Sequence, residues 1–154
     1  MLIPELEQVR IFKDLDTQSF SDICQFCTKL ELSDGEVLIS ENEQECCDIF
    51  VLCKGKVEIL SNSSGITSNE VTLSEQDKEI YGEISWLSGI QRTATIRCHG
   101  PVVAVHINGK QLYEYLESNP QSGFLVMRSI AQLLAESMGQ TNKLLKQILW
   151  NEIL

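Results

Sequence analysis

Glu83 and Arg92 stand nine residues apart in the stretch YGEISWLSGIQRTATIRC, residues 81–98, and their types suggest a task. Gly82, just before the Glu, lets the backbone approach a ligand closely. Residues 83–87 read as the start of a short helix, whose first N–H groups have no partner inside the helix and attract a phosphate. Arg92 adds a planar fork of donors suited to phosphate oxygens. A carboxylate accepts but does not donate, and it repels phosphate, so Glu83 should take another group, such as a sugar hydroxyl. A phosphate and a hydroxyl held side by side describe a ribose phosphate. The plain alternative is a Glu–Arg ion pair that closes a turn. The glycine, the spacing and the strands around the stretch favour the ligand.

Those strands are legible as a change of period. Residues 2–12 read as a short amphipathic helix. A second helix runs from Asp16 or Thr17 to Cys27, with Phe20, Ile23, Cys24 and Cys27 on its apolar face. The period then drops to two in KLELS, EVLIS, DIFVLCKG, KVEILS, EVTLS, RTATIRC and VVAVHI. SDG at 33–35 and CKGK at 53–56 read as tight hairpin turns, and SNSSGITSN at 61–69 as a longer, flexible hairpin loop. Seven or eight strands at this spacing imply a sandwich, jelly roll or barrel. Helix returns behind Asn108, and Pro120 opens another whose apolar periodicity runs to Leu154. The order predicts a mainly β fold, a jelly-roll sandwich with N-terminal helices and two C-terminal helices.

Composition narrows the partners. A net charge of −10 disfavours binding to nucleic acid or to an anionic membrane, since both need a basic face. A small anion can still bind in a local pocket. MLIPELEQVR lacks the basic and apolar regions of a signal peptide, and no apolar run is long enough to span a bilayer, which predicts a cytoplasmic chain. The six cysteines, at 24, 27, 46, 47, 53 and 98, are then expected as reduced thiols. Cys24 and Cys27 read as core. A metal or iron–sulfur site needs about four ligands, so no metal is expected, although the adjacent Cys46 and Cys47 leave a thiol-based redox or metal sensor as one alternative. His99 and His106 are isolated, so a Cys–His nucleophile has no support, His106 reads as structural, and the chain is not expected to be an enzyme.

With these residues in place, the chain resembles the cyclic nucleotide-binding domains of catabolite activators, cAMP-dependent kinase regulatory subunits and cyclic-nucleotide-gated channels. Their phosphate-binding cassette reads roughly F-G-E-[LI]-[AS]-L-L, then a few residues, then R-[AST]-A-[TS]-[VIA]; this chain has YGEISWLSGIQRTATI. The likeness extends through GEVLI, KGKVEIL and ESNPQSGFLVMRSIAQLL, over roughly residues 10–150. It departs from the pattern at Lys78 and Glu79, and at Glu43 and Cys46, where the family commonly has glycine, and Tyr81 replaces the usual Phe.

The resemblance implies a role for each cassette residue. Glu83 would take the ribose 2′-hydroxyl, and Gly82, Ile84 and Ser85 would offer backbone N–H groups. Arg92 would pair with the cyclic phosphate and Thr93 would donate its N–H and hydroxyl. A hydroxyl residue after the Arg is linked loosely to cGMP, which leaves cAMP and cGMP both open. Gln140, Thr141 and Asn142 would meet the base from the last helix, and Arg128 could reach back towards Glu83.

No tightly bound cofactor is implied. The whole chain, 1–154, would be one domain: helices over 1–28, a β-roll over 29–107 with its cassette at 81–95, and helices over 108–154. It ends at Leu154, without room for the activators' DNA-binding helix-turn-helix, so output is expected through an effector protein or a homodimer. Leu144, Leu149, Trp150, Ile153 and Leu154 make the last turns apolar nearly all round, as a helix seeking a partner would be. The competing expectation is a degenerate roll that binds no nucleotide and serves as an interaction or dimerisation module.

Overall fold

The computed structural model describes residues 2–41, 43, 47–62, 70–76 and 79–153; the side chains of 62 and 70–76 are not among the features described. Cys46, Asp77, Lys78, Leu154 and residues 63–69 of the loop expected at 61–69 lie outside these residues, while Ser61 and Asn62 of that loop belong to a strand.

The N-terminal segment is not the expected helix. One 3-10 turn spans Pro4–Leu6, and further turns close from Val9 N to Leu6 O (3.1 Å), Phe12 N to Val9 O (3.0 Å) and Leu15 N to Phe12 O (3.1 Å). The apolar residues explain this. Leu6, Val9 and Phe12 recur every three residues, the period at which a 3-10 path keeps one face inward, and all three are buried. Helix α1 then spans Thr17–Cys24, capped by Asp16, whose carboxylate accepts from Ser19 N. It stops before Cys27, which opens the first strand, so Cys24 and Cys27 do not share a helix face as expected.

The strands are β1 (Cys27–Leu32), β2 (Val37–Ile39), β3 (Ile49–Asn62), β4 (Glu70–Gln76), β5 (Ile80–Tyr81) and β6 (Thr95–Ile107). They form an antiparallel sheet in the order β1-β6-β3-β4, with β2 also on β6 and β5 also on β3. CKGK is not a hairpin turn. The chain runs through it as one long strand, β3, whose register against β6 shifts on either side of Lys54. Gly55 sits at φ +100°, and a Cβ there would lie 2.4 Å from the Pro101 carbonyl of β6. The glycine therefore bends the strand where β6 bends at Gly100–Pro101, and two pairs of expected strands merge into two bent ones. SDG does turn the chain, with Glu36 N bonded to Ser33 O. It makes no hairpin, because β1 and β2 each pair with β6.

The period of two divides the core. Ile49, Val51, Val105 and Ile107 face the helices, packed with Phe20, Ile23, Leu112, Val126 and Ile130. Phe50, Leu52, Val57, Ile96, Val102 and Ala104 face into the roll, with Tyr81. Each such large side chain contributes roughly 1.5–3 kcal/mol by leaving water.

After β6, α3 (Gly109–Ser118) starts behind Asn108, whose side chain accepts from Gln111 N. Helix α4 (Pro120–Ile153) has Pro at its first position. Among the described residues its anchors lie in its first half. Val126, Ser129 and Ile130 are buried, and Ser122 shares a 2.8 Å hydroxyl contact with Ser19. Arg10 grips Glu136 with two bonds of 2.8 and 2.7 Å, and every described residue beyond Leu134 is exposed.

Candidate functional site

Strand β5 delivers the chain to Gly82, which caps helix α2 (Glu83–Ser88) at φ +87°, ψ 0°. That left-handed backbone favours glycine, and space demands it as well. A Cβ at Gly82 would come within 2.7 Å of both Arg92 Nη1 and the Asp48 carbonyl. The helix is short because Gly89, at φ +72°, ends it, its N–H donating to Ser85 O. The chain then returns through Arg92 into β6.

Glu83 is 4% exposed, Ser85 4% and Arg92 2%. Charged residues are almost never buried to this degree without specific partners. Arg92 donates from Nη1 to Gly82 O (3.0 Å) and from Nη2 to Asp48 O (2.6 Å). Its backbone N–H donates to Glu43 O at 3.3 Å. The guanidinium is thus oriented by carbonyls from two separate segments, and both charged residues line one cavity of about 140 Å³. Gly82, Ile84, Ser85 and Thr93 line it too, and Ile39, Ile59, Tyr81, Ala94 and Ile96 complete its wall. Ile84 and Thr93 are exposed at its mouth. An apolar wall, one carboxylate, one guanidinium and a glycine-led helix start can hold a small molecule carrying both an anion and a hydroxyl.

All six cassette residues singled out from the sequence therefore meet in one place. The four on α4 do not line this cavity. Gln140, Thr141 and Asn142 are exposed, with Thr141 Oγ1 donating to Ser137 O at 3.0 Å. Arg128 reaches Asp14 at 3.4 Å and lies over the Phe124 ring, rather than turning to Glu83. Asp48 was not anticipated. It is distant in sequence, and a backbone carbonyl leaves no signature of its use.

Burial acts on three of the described thiols. Burial pushes the Cys27 thiol up to about 12, and its Sγ–H donates to Ile23 O at 3.2 Å. Burial also raises Cys53 and Cys98, while Cys47 is exposed. Among the described residues no group of three or more His, Cys, Asp or Glu is placed to hold a metal ion. No helix of these residues is long and apolar enough to cross a membrane. Glu79, just before β5, is held above the usual carboxylate range by burial, partly offset by the Arg10 and Ile11 N–H groups and the Arg10 charge.

The antiparallel roll, the flanking helices and the Gly-Glu…Arg cavity define a class. The family model of the cyclic nucleotide-binding domain matches residues 29–119, more than half of the chain, and the chain belongs to that family. Among curated relatives it is 27% identical over 139 residues to the cyclic nucleotide-gated channel beta-3 of Canis lupus familiaris. That match covers 88% of this chain and 17% of the channel, so the chain spans about a sixth of this relative's length. Among solved structures, a Geobacter metallireducens protein assigned as cyclic nucleotide-binding is 30% identical, with a TM-score of 0.70, over 88% of this chain and 98% of that one. A cyclic nucleotide-binding domain from Methylobacillus flagellatus shares the fold at a TM-score of 0.76 and 17% identity, over 92% of this chain and 79% of that one.

Proposed function

We propose that the chain is a regulatory module, not an enzyme, that binds cAMP or cGMP in the cavity between α2 and β6. Glu83 takes the ribose 2′-hydroxyl, Arg92 pairs with the cyclic phosphate, and the N–H groups of Gly82, Ile84, Ser85 and Thr93 complete the cradle. The observation that carries this reading is the buried Glu83 and Arg92 on the wall of one apolar cavity, the guanidinium oriented by carbonyls from two segments. Opposite charges so placed sort a ligand's hydroxyl end from its phosphate end.

On this reading residues 1–154 act as one cytoplasmic unit, and nucleotide shifts α3 and α4 between positions of unequal ligand affinity. The movement brings Gln140, Thr141 and Asn142 to the base and presents the apolar end of α4 to a second copy or an effector protein. Thr93 would also donate its hydroxyl to the ligand, which leaves cAMP and cGMP both open.

Calorimetric titration with cAMP and then cGMP tests this. Micromolar binding that Arg92→Ala abolishes supports it, and the tighter ligand names the signal. No heat at millimolar nucleotide overturns it in favour of a roll that works only through its exposed helix.

A further inference from the structure

His106 lies outside the cavity, yet it is bonded to the residue that orients Arg92. Its Nε2 is 2.7 Å from Asp48 Oδ2. A carboxylate only accepts, so Nε2 carries the proton of this bond. The other carboxylate oxygen, Oδ1, accepts from Gly109 N at 2.8 Å. The backbone carbonyl of the same Asp48 accepts from Arg92 Nη2 at 2.6 Å. One residue thus joins the cavity's guanidinium to the end of β6 and the start of α3.

The place of Asp48 in the chain makes its side-chain bonds matter. The β3 ladder begins one residue later, with Ile49 opposite Ile107, so sheet pairing does not set the Asp48 backbone. Its carboxylate is held instead, at both oxygens, by groups on rigid elements. His106 is paired in the sheet on both sides, with Thr28 of β1 and Phe50 of β3, and its ring packs on Phe50 at 5.3 Å. Gly109 is boxed in, since a Cβ there would lie 2.2 Å from the Cys47 carbonyl, and its own carbonyl accepts from Trp86 Nε1 of α2 at 2.8 Å. A carboxylate held at both oxygens restricts the Asp48 rotamer and so limits the swing of the adjoining carbonyl that holds Arg92.

We propose that His106 is a positioning residue for Arg92, acting through Asp48, and that it sets the fork in its anion-binding orientation before ligand arrives. The consequence for affinity rests on the nucleotide-binding reading above; the geometric claim does not. His106→Ala removes the donor. His106→Gln offers an amide N–H in its place.

The first readout needs no ligand: the nitrogen NMR resonances of the Arg92 guanidinium, with amide exchange at Gly109. His106→Ala should move the Arg92 resonances and speed Gly109 exchange about tenfold, while His106→Gln leaves both near wild type. Should the Ala variant not fold, Asp48→Asn, which leaves one acceptor oxygen for two donors, should move the same resonances. Unmoved Arg92 resonances, or equal movement in the Ala and Gln variants, overturn the proposal.

The second readout is titration with cAMP and cGMP. His106→Ala should lose about tenfold in affinity and His106→Gln less than about twofold. Moved resonances with unchanged affinity overturn the functional half. A wild-type chain that binds neither nucleotide overturns the nucleotide reading, and the resonances still decide whether His106 positions Arg92.

Discussion

The cassette and the far half of α4 are built on opposite terms. At the cassette, Gly82, Glu83, Ser85 and Arg92 lie within one short stretch, and the last three are among the few buried polar side chains of the described residues. Along α4, Met138, Leu144, Ile148, Trp150 and Ile153 are large, apolar and about half exposed or more. One region hides charge and the other displays oil. Buried charge is costly unless its partners are held in place, so on the proposed reading the cassette is set before its ligand arrives. An exposed apolar helix end has no such constraint, and its position is free to depend on what binds elsewhere. The difference suggests a reader at one end of the molecule and a responder at the other.

The largest effect should come from Arg92→Ala. Removing the guanidinium is expected to cost about 2–4 kcal/mol of nucleotide binding, roughly 30- to 1000-fold in affinity. A titration showing less than a threefold loss would break the contrast, because the buried charge would then be structural. Gly82→Ala comes next. Its backbone is at φ +87° and the added Cβ meets Arg92 and Asp48, so strain of about 1–3 kcal/mol should lower the melting temperature and weaken binding about tenfold. A melting curve and a titration of the same sample check both.

Changing Gln140, Thr141 and Asn142 together to Ala should weaken nucleotide binding about fivefold. The melting temperature without ligand should stay the same, since all three are exposed. Unchanged affinity would mean that α4 does not come to the base, and the responder half of the comparison would fall.

The smallest effect concerns Glu79, which adjoins the cassette and is held above the usual carboxylate range by burial. The folded chain then keeps this proton to higher pH than the unfolded chain. The stability that Glu79 contributes is fully present below its unfolded value and is lost as pH rises through its folded value. Glu79→Gln should therefore raise the melting temperature by about 2 °C at pH 7.5 and leave it unchanged near pH 4. An equal gain at both values would contradict the assigned cause.

Much of this was legible in the residues. Asp16 and Asn108 capped the helices they were expected to cap. The alternation in DIFVL and VVAVHI placed odd and even residues on the two faces observed. The misreadings share one cause. Gly55 reads as a turn because a glycine after a lysine looks alike whether the chain reverses or bends, and the Pro101 carbonyl of β6, packed against it, selects the bend. Residues 2–12 look helical to an eye set for 3.6, although Leu6, Val9 and Phe12 fit a period of three. The spacing of Cys27 fits the apolar face of α1, but its pairing with Ile107 of β6 makes it strand.

By itself the sequence determined the cassette. Its glycine, short helix and second glycine are contiguous, and their conformations follow from backbone freedom and local hydrogen bonds. It also determined the two-faced strands, because alternation is a property of the chain. Only the tertiary structure decided what holds Arg92, since that grip is a carbonyl at Asp48, bonded in turn to His106 and Gly109. Tertiary structure also decided where α4 points, and hence that Gln140, Thr141 and Asn142 lie away from the cavity. A helix's own hydrogen bonds give it a shape but no direction, and direction comes from the few residues, here Ser122, Val126, Ser129 and Ile130, that bury against the rest.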